Sequence, residues 1–285
     1  NYRECEEIGK EVKKGAPVDF TLVVDLSASM TDNGSQSLAI TKNAAKSFIE
    51  TVLADGNKNV RVAIVAYGTM GHAYNFAKKS WNLYGSTITT DGYYTSSRAD
   101  ALAVIDSDNF APKKLSPTSG RNYTDYESGG TNTEAGFLTA QAVTATRKSN
   151  AMSKVVFMTD GVPTYHYSDG TTVTGGKNTT TEADFNEAVS AGKALKAAGN
   201  DIYTVGLLTS YDEGSSELEM ANKLLSDEHS YSYGSSSSVS YNEIRIKNNS
   251  IYYINKDNLW IKDGKDYVQV QVDKKWNKDQ YTYTY

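Results

Sequence analysis

The stretch VDFTLVVDLSASM (residues 18–30) decides the reading of this chain. Phe20, Leu22, Val23 and Val24 make its first half a near-continuous apolar run, broken only by Asp19 and Thr21. The run stops at a carboxylate, Asp25, and two hydroxyls follow at alternate positions, Ser27 and Ser29. So apolar a run reads as a strand buried on both faces, as in a parallel sheet covered by helices. The polar end is either an ordinary turn or half of a cation site, and the rest of the chain has to decide between them.

Working outward, strand and helix patterns alternate to about residue 230. Residues 37–54 place Ile40, Ala44, Phe48 and Val52 at helical spacing. VRVAIVAY (residues 60–67) is a second strand, residues 134–147 an Ala-rich helix, and KVVFMTD (residues 154–160) another buried strand. Residues 182–198 form a helix with Phe185, Val189 and Leu195 inward and Gly199 as its stop. A strand over 201–208 and a helix over 216–225 complete the series. The fold class this predicts is α/β: a doubly wound, mostly parallel sheet with helices on both faces.

Two connections, residues 68–130 and 163–181, are too long to be simple loops and read as inserted arms. The first carries Tyr74, Trp81, Tyr84, Tyr93, Tyr94, Tyr123 and Tyr126 among Ser, Gly, Thr and Asn. That mixture suits a binding face, because Tyr offers large contact area at low entropic cost. It equally suits an elaboration whose aromatics pack on each other. Beyond residue 245 the pattern turns β-rich: IYYI (residues 251–254), two alternating runs about Asp263-Gly264 that read as a hairpin, and a closing YTYTY. The expected organisation is an α/β domain over residues 17–245, with residues 1–16 and 246–285 forming a partial β-rich flanking domain.

Composition narrows the function classes. The net charge of the 285 residues is -5 without a basic cluster, which argues against nucleic acid. No apolar stretch is long enough to span a membrane, and the lack of a signal peptide or anchor suggests a mature piece of a longer chain. One cysteine, Cys5, excludes an internal disulfide and a cysteine-based zinc cage. The histidines His72, His166 and His229 make no His-Glu-x-x-His, and no Gly-x-Ser-x-Gly is present. His72 could line a ligand face; His166 and His229 read as surface or packed residues. GTTVTGGKNT (residues 170–179) lacks the upstream Gly and the Ser/Thr of a phosphate loop, and the acidic run at Asp106 and Asp108 lacks the Gly and Glu of a calcium loop. An enzyme is therefore not expected.

In an open parallel sheet, ligands bind where loops leave the carboxyl ends of the strands. Three such loops carry Asp25-Leu26-Ser27-Ala28-Ser29, Gly130-Thr131 and Asp160-Gly161. Singly, each has a plain explanation: turn residues, a Thr131/Glu134 capping box, an Asp-Gly turn. Together they offer two carboxylates and three hydroxyls, a donor set for a hard cation such as Mg²⁺. With so few anionic donors the cation stays electrophilic and can accept a carboxylate from a partner.

The pattern Asp-x-Ser-x-Ser, a distant Thr and an Asp-Gly after a buried strand resembles the metal-ion-dependent adhesion site of von Willebrand factor A domains. The resemblance covers residues 17–230 and implies a divalent cation, Mg²⁺ with Mn²⁺ or Ca²⁺ as alternatives. Ser27, Ser29 and Thr131 would hold it through hydroxyls, Asp25 and Asp160 directly or through water. TDGVPTYHYSDG (residues 159–170), with the long insertion before GGTNTEAG, is similar to the tip adhesins of Gram-positive bacterial pili. That resemblance implies an extracellular module at a bacterial surface, cell wall or pilus tip. It would bind a protein or glycan on host matrix or another cell that offers an acidic group. The inserted arms would help form the binding face, and other pilus subunits would be further partners. The alternative is a pilus or surface scaffold whose metal only stabilises loops. One departure concerns residues 234–250, where the usual last helix of the domain would fall: the segment is a poor helix, which leaves either a short helix near 239–244 or direct passage into β structure.

Overall fold

The computed structural model describes residues 17–31, 35–55, 57, 59–85, 88, 91–112, 129–176, 179–208 and 215–225, together with the backbone of six strands between 242 and 284. The chain divides into two compact units, residues 1–210 and 211–285.

The first unit is built on a six-stranded sheet whose strands lie in the order β4 (Ser80–Leu83), β3 (Gly71–Asn75), β2 (Val60–Tyr67), β1 (Val18–Asp25), β5 (Met152–Thr159), β8 (Asp201–Gly206). Its parallel strands are β1, β2, β5 and β8. β3 and β4 extend it antiparallel at one edge. β1 lies at the centre and all eight of its residues are buried, as its apolar run requires.

Side-chain alternation sorts β1 onto two faces. Val18, Phe20, Leu22 and Val24 join Ala45, Phe48, Ile49 and Val52 of α1 (Ser37–Val52) and Ala101, Val104 and Ile105 of α2 (Arg98–Asp106) in one core. Phe20 and Phe48 meet edge to face at 5.2 Å. The inward stripe of α1 runs through Thr41, Ala45, Phe48, Ile49 and Val52. Ile40, expected inward, is 50% exposed, because the stripe is set by the wider Phe48/Ile49 pair and passes one position later.

The opposite face is covered by α3 (Thr133–Thr144) and α4 (Glu182–Ala197). Phe137 of α3 stacks on Phe157 of β5 at 4.3 Å, and Phe157 on Tyr67 of β2 at 5.3 Å. A Cβ at Gly136 would crowd the Tyr67 ring, so glycine is what lets α3 sit this close to the sheet. On α4, Phe185, Val189 and Leu195 are buried as expected, and Thr181 with Asp184 closes a capping box at its start.

The first inserted arm is less irregular than its composition suggests. β3, β4 and α2 lie within it, and Trp81, Tyr93 and Phe110 of the arm are buried. Tyr74 meets Phe76 at 5.0 Å and Trp81 at 5.2 Å, and Trp81 stacks on Phe110 at 6.0 Å. Tyr93 is 1% exposed, and the Tyr94 hydroxyl bonds Thr21 of β1 at 2.8 Å. These residues brace the sheet; Tyr123 and Tyr126 lie outside the described residues. His72, read as a residue that could line a ligand face, is buried on β3. The second arm folds into a hairpin of β6 (Tyr165–Tyr167) and β7 (Val173–Gly175).

The second unit contains α5 (Ser216–Leu225), an antiparallel sheet of order β12-β11-β10-β9, and the hairpin β13 (Asp273–Asn277)–β14 (Gln280–Thr284). The strand β9 (Asn242–Ile246) pairs with β10 (Ser250–Asn255), so residues 242–246, part of the stretch where a short last helix was one option, are strand; residues 226–241 lie outside the described residues. β11 (Asn258–Asp263) and β12 (Asp266–Val270) pair up to Asp263 and Asp266, the hairpin expected about Asp263-Gly264.

Candidate metal centre

Register alone sets the two carboxylates side by side. β1 and β5 run parallel with Val24 opposite Met158, so Asp25 falls level with Thr159 and Asp160 stands one residue beyond. Thr159 Oγ1 donates to Asp25 Oδ2 at 2.7 Å. On the other flank, Tyr67 ends β2 opposite Asp25 and its hydroxyl donates to Oδ2 at 3.2 Å. The Ser27 N–H donates to Oδ1 at 2.8 Å. Asp25 is fully buried and held from three sides before any cation is considered.

The hydroxyls complete the cluster. Ser27 and Ser29 lie 3.0 Å apart through their Oγ atoms, and Ser29 Oγ donates to Asp160 Oδ1 at 2.8 Å. A short 3₁₀ turn over Ala28–Met30 curls the loop so that both serines come to one side. Ser27 is buried and Ser29 exposed, so the cluster opens to solvent at Ser29.

Thr131 is brought in by backbone bonds. The Ala28 N–H donates to Gly129 O at 3.0 Å, and the Asn132 N–H to Gly68 O, just beyond β2, at 2.8 Å. The Gly129–Asn132 loop therefore stands over the carboxyl ends of β1 and β2. A Thr131/Glu134 capping box does not form. Asn132 is the N-cap of α3, accepting from the Ala135 N–H at 2.9 Å, and Glu134 instead accepts the Tyr167 N–H at 2.6 Å. Among the described residues nothing bonds the Thr131 hydroxyl, so it is available as a donor to a cation.

Electrostatics point the same way. Burial pushes the carboxyls of Asp25 and Asp160 up, and the charge of Asp25 adds to this at Asp160. Hydrogen bonds from Ser27, Thr159 and Tyr67 oppose the rise at Asp25; bonds from Ser29 and Ser37 oppose it at Asp160. Among the described residues neither carboxylate enters an ion pair. Two adjacent buried carboxylates without a basic partner are unfavourable unless a cation joins them. The donor set is all oxygen, with two charges and three hydroxyls, and fits Mg²⁺, Mn²⁺ or Ca²⁺ by hardness.

Asp25, Ser27, Ser29 and Asp160 are thus linked at one sheet edge by hydrogen bonds and register, and Thr131 lies in the neighbouring Gly129–Asn132 loop. The sequence reading did not single out Tyr67, Thr159, Ser37 or Thr164. Tyr67 was within reach, since the residue ending the neighbouring parallel strand must sit beside Asp25. Thr164 was not, because its contact depends on where the hairpin docks.

Solved structures carry the same architecture. The vWF domain of the type V pili tip protein Mfa5 from Porphyromonas gingivalis matches with a TM-score of 0.50 at 17% identity, covering 75% of this chain and 88% of that one. The pilus adhesin SpaC from Lactobacillus rhamnosus GG matches with a TM-score of 0.50 at 19% identity, covering 75% of this chain and 28% of that one. The first unit has the fold of a von Willebrand factor A domain. No protein-family model and no curated protein matches the chain.

Proposed function

We propose that the chain is an extracellular adhesion module at a bacterial surface or pilus tip. In this reading a divalent cation, Mg²⁺ first, is held by Asp25, Ser27, Ser29, Thr131 and Asp160 and captures an acidic group of a protein or glycan on host matrix or another cell. The observation that carries the proposal is the chain of contacts Ser27–Ser29–Asp160 beside the buried Asp25, open to solvent at Ser29. When bound, the cation would supply a Lewis-acidic point with a place for an incoming oxygen. The residues hold the carboxylates in register, keep the hydroxyls converged and leave one side open. Resemblance in fold to domains of pilus tip proteins supports the reading without naming a ligand. The adhesion domain would span residues 17–245, with residues 1–16 and 246–285 as part of a flanking stalk.

A scaffold role is favoured by one observation, the packing of Tyr74, Phe76, Trp81 and Phe110 of the first arm against one another. Chelation separates the two. Immobilised collagen, fibrinogen, fibronectin and a glycan array are probed with the protein in Mg²⁺ and in EDTA. Capture in Mg²⁺ that is lost in EDTA supports adhesion through the cation. Capture that survives EDTA while thermal stability drops makes the metal a staple.

A further inference from the structure

The hairpin β6–β7 is fastened at its root to the Thr131 loop of the candidate metal centre. The Thr131 N–H donates to Thr164 Oγ1 at 3.1 Å, and the N–H groups of Thr164 and Tyr165 both donate to the Thr131 carbonyl, at 2.8 and 3.1 Å. A Cβ on Gly130 would overlap the Tyr165 ring, so that ring lies flat on the backbone beside Thr131. His166, on the opposite face of the strand, places Nδ1 2.7 Å from Oδ1 of the fully buried Asp184, whose Oδ2 is engaged by Thr181. The Tyr167 N–H donates to Glu134 in the first turn of α3, and its ring stacks on Tyr84 at 5.8 Å. Thr164 and Tyr165 thus hold the Thr131 loop, His166 reaches the start of α4, and Tyr167 reaches α3 and the first arm. The far end of the hairpin is exposed, with its turn closed by Asp169, which accepts from the N–H groups of Thr171 and Thr172 at 3.1 and 2.6 Å.

Thr131 is the one expected cation donor not held by hydrogen bonds to the other four. Its backbone is instead clamped by Thr164 and Tyr165 on both its N–H and C=O. We infer that Thr164 is the positioning residue for Thr131, and that through it the β6–β7 hairpin and the cation are energetically coupled. This rests on the proposed cation site. A carbonyl and an N–H held from the same neighbour leave the Thr131 backbone little freedom to rotate, which fixes the Cα–Cβ direction from which the hydroxyl is presented. Loss of a partner that orients a metal ligand commonly weakens metal affinity 10- to 100-fold. Linkage requires the reverse effect as well: a cation that needs Thr131 in place stabilises the hairpin root.

Mg²⁺ is titrated calorimetrically into the unmodified chain and into Thr164→Val, Thr164→Ser and Asp25→Ala. Amide hydrogen exchange of the unmodified chain is followed in Mg²⁺ and in EDTA. The expected result is about 10-fold weaker Mg²⁺ binding for Thr164→Val, restored by Thr164→Ser, and slower exchange at Thr131, Thr164 and Tyr165 when Mg²⁺ is present. A purely structural Thr164 would lower thermal stability in EDTA and leave the Mg²⁺ affinity of the valine variant unchanged; with Asp25→Ala inactive in binding, that result overturns the inference and leaves the cation site standing. If Thr164→Val does not fold, the exchange data decide, and identical protection with and without Mg²⁺ overturns the coupling. Unchanged Mg²⁺ binding in Asp25→Ala overturns the cation site itself.

Discussion

Ser29 and Asp160 are 131 residues apart in the chain, yet the Ser29 hydroxyl donates to Asp160 Oδ1 at 2.8 Å. That contact joins the loop after β1 to the loop after β5 and sets two carboxylates and two serine hydroxyls in one cluster.

Asp160→Asn removes one of two adjacent buried carboxylates while keeping an acceptor for Ser29. The metal-free variant is expected to melt at a higher temperature than the unmodified chain, since the repulsion from Asp25 is gone. The unmodified chain should gain stability with added Mg²⁺, by about 2.7 kcal/mol at one hundred times the dissociation constant, and the variant should gain little. Calorimetric melting in EDTA and in Mg²⁺ reads both; a lower melting temperature for the metal-free variant would contradict the repulsion.

His72 makes stability sensitive to acid. Burial pulls its pKa down to about 4, against about 6.5 in an unfolded chain, with a bond to the Met70 backbone opposing the shift. Protons therefore bind the unfolded chain preferentially between these values. The contribution is fully present above pH 6.5 and is lost as pH falls to 4, amounting to about 3 kcal/mol at most. Urea unfolding of the unmodified chain and His72→Gln from pH 7 to 4 should show the difference between them shrinking with acid. A constant difference would mean that His72 does not titrate on unfolding.

Gly136→Ala should disturb the site from the face of α3 that packs on the sheet. The added Cβ meets the Tyr67 ring, whose hydroxyl bonds Asp25. Overpacking of this kind costs about 1–3 kcal/mol. Weaker Mg²⁺ binding should accompany the loss of stability, which equilibrium unfolding and calorimetry measure side by side. Full Mg²⁺ affinity in a destabilised variant would show that Tyr67 does not orient Asp25.

At the other end of β1, Asp19 is 1% exposed and bonded by the Arg61 guanidinium at 2.8 and 2.6 Å and by the Lys148 N–H at 3.1 Å. Arg61→Leu leaves that carboxylate buried without its cation and should cost about 3 kcal/mol. Mg²⁺ affinity should not change, since the pair lies at the opposite ends of the strands from Asp25. Equal stability of the variant in chemical unfolding would refute the first expectation.

Much of this was legible in the sequence where local pattern and tertiary demand coincide. The apolar run into Asp25 announces a central parallel strand, and its end announces where the ligand edge lies. In α1 Phe48 and Val52 are buried as expected, but Thr41 and Ala45 take the inward places of Ile40 and Ala44, which satisfy helical spacing equally well. The Thr131/Glu134 spacing mimics a capping box, but Asn132 competes for the cap and the hairpin claims Glu134. The arm's tyrosines suit a binding face and internal packing equally, because composition does not say which way a ring faces; Tyr74, Tyr93 and Tyr94 pack on the domain. Thr164 left no local trace at all, since its partner is 33 residues away in a different loop.

The cation site is tested most directly by calorimetric titration of Mg²⁺ into the metal-free chain, Ser29→Ala and Asp25→Ala. Ser29 is exposed, so its variant should fold unchanged. The expected result is single-site binding to the unmodified chain, weaker binding to Ser29→Ala and none to a folded Asp25→Ala. No binding to the unmodified chain, or equal binding to all three, would contradict the assignment of Asp25, Ser27, Ser29, Thr131 and Asp160 as one metal centre.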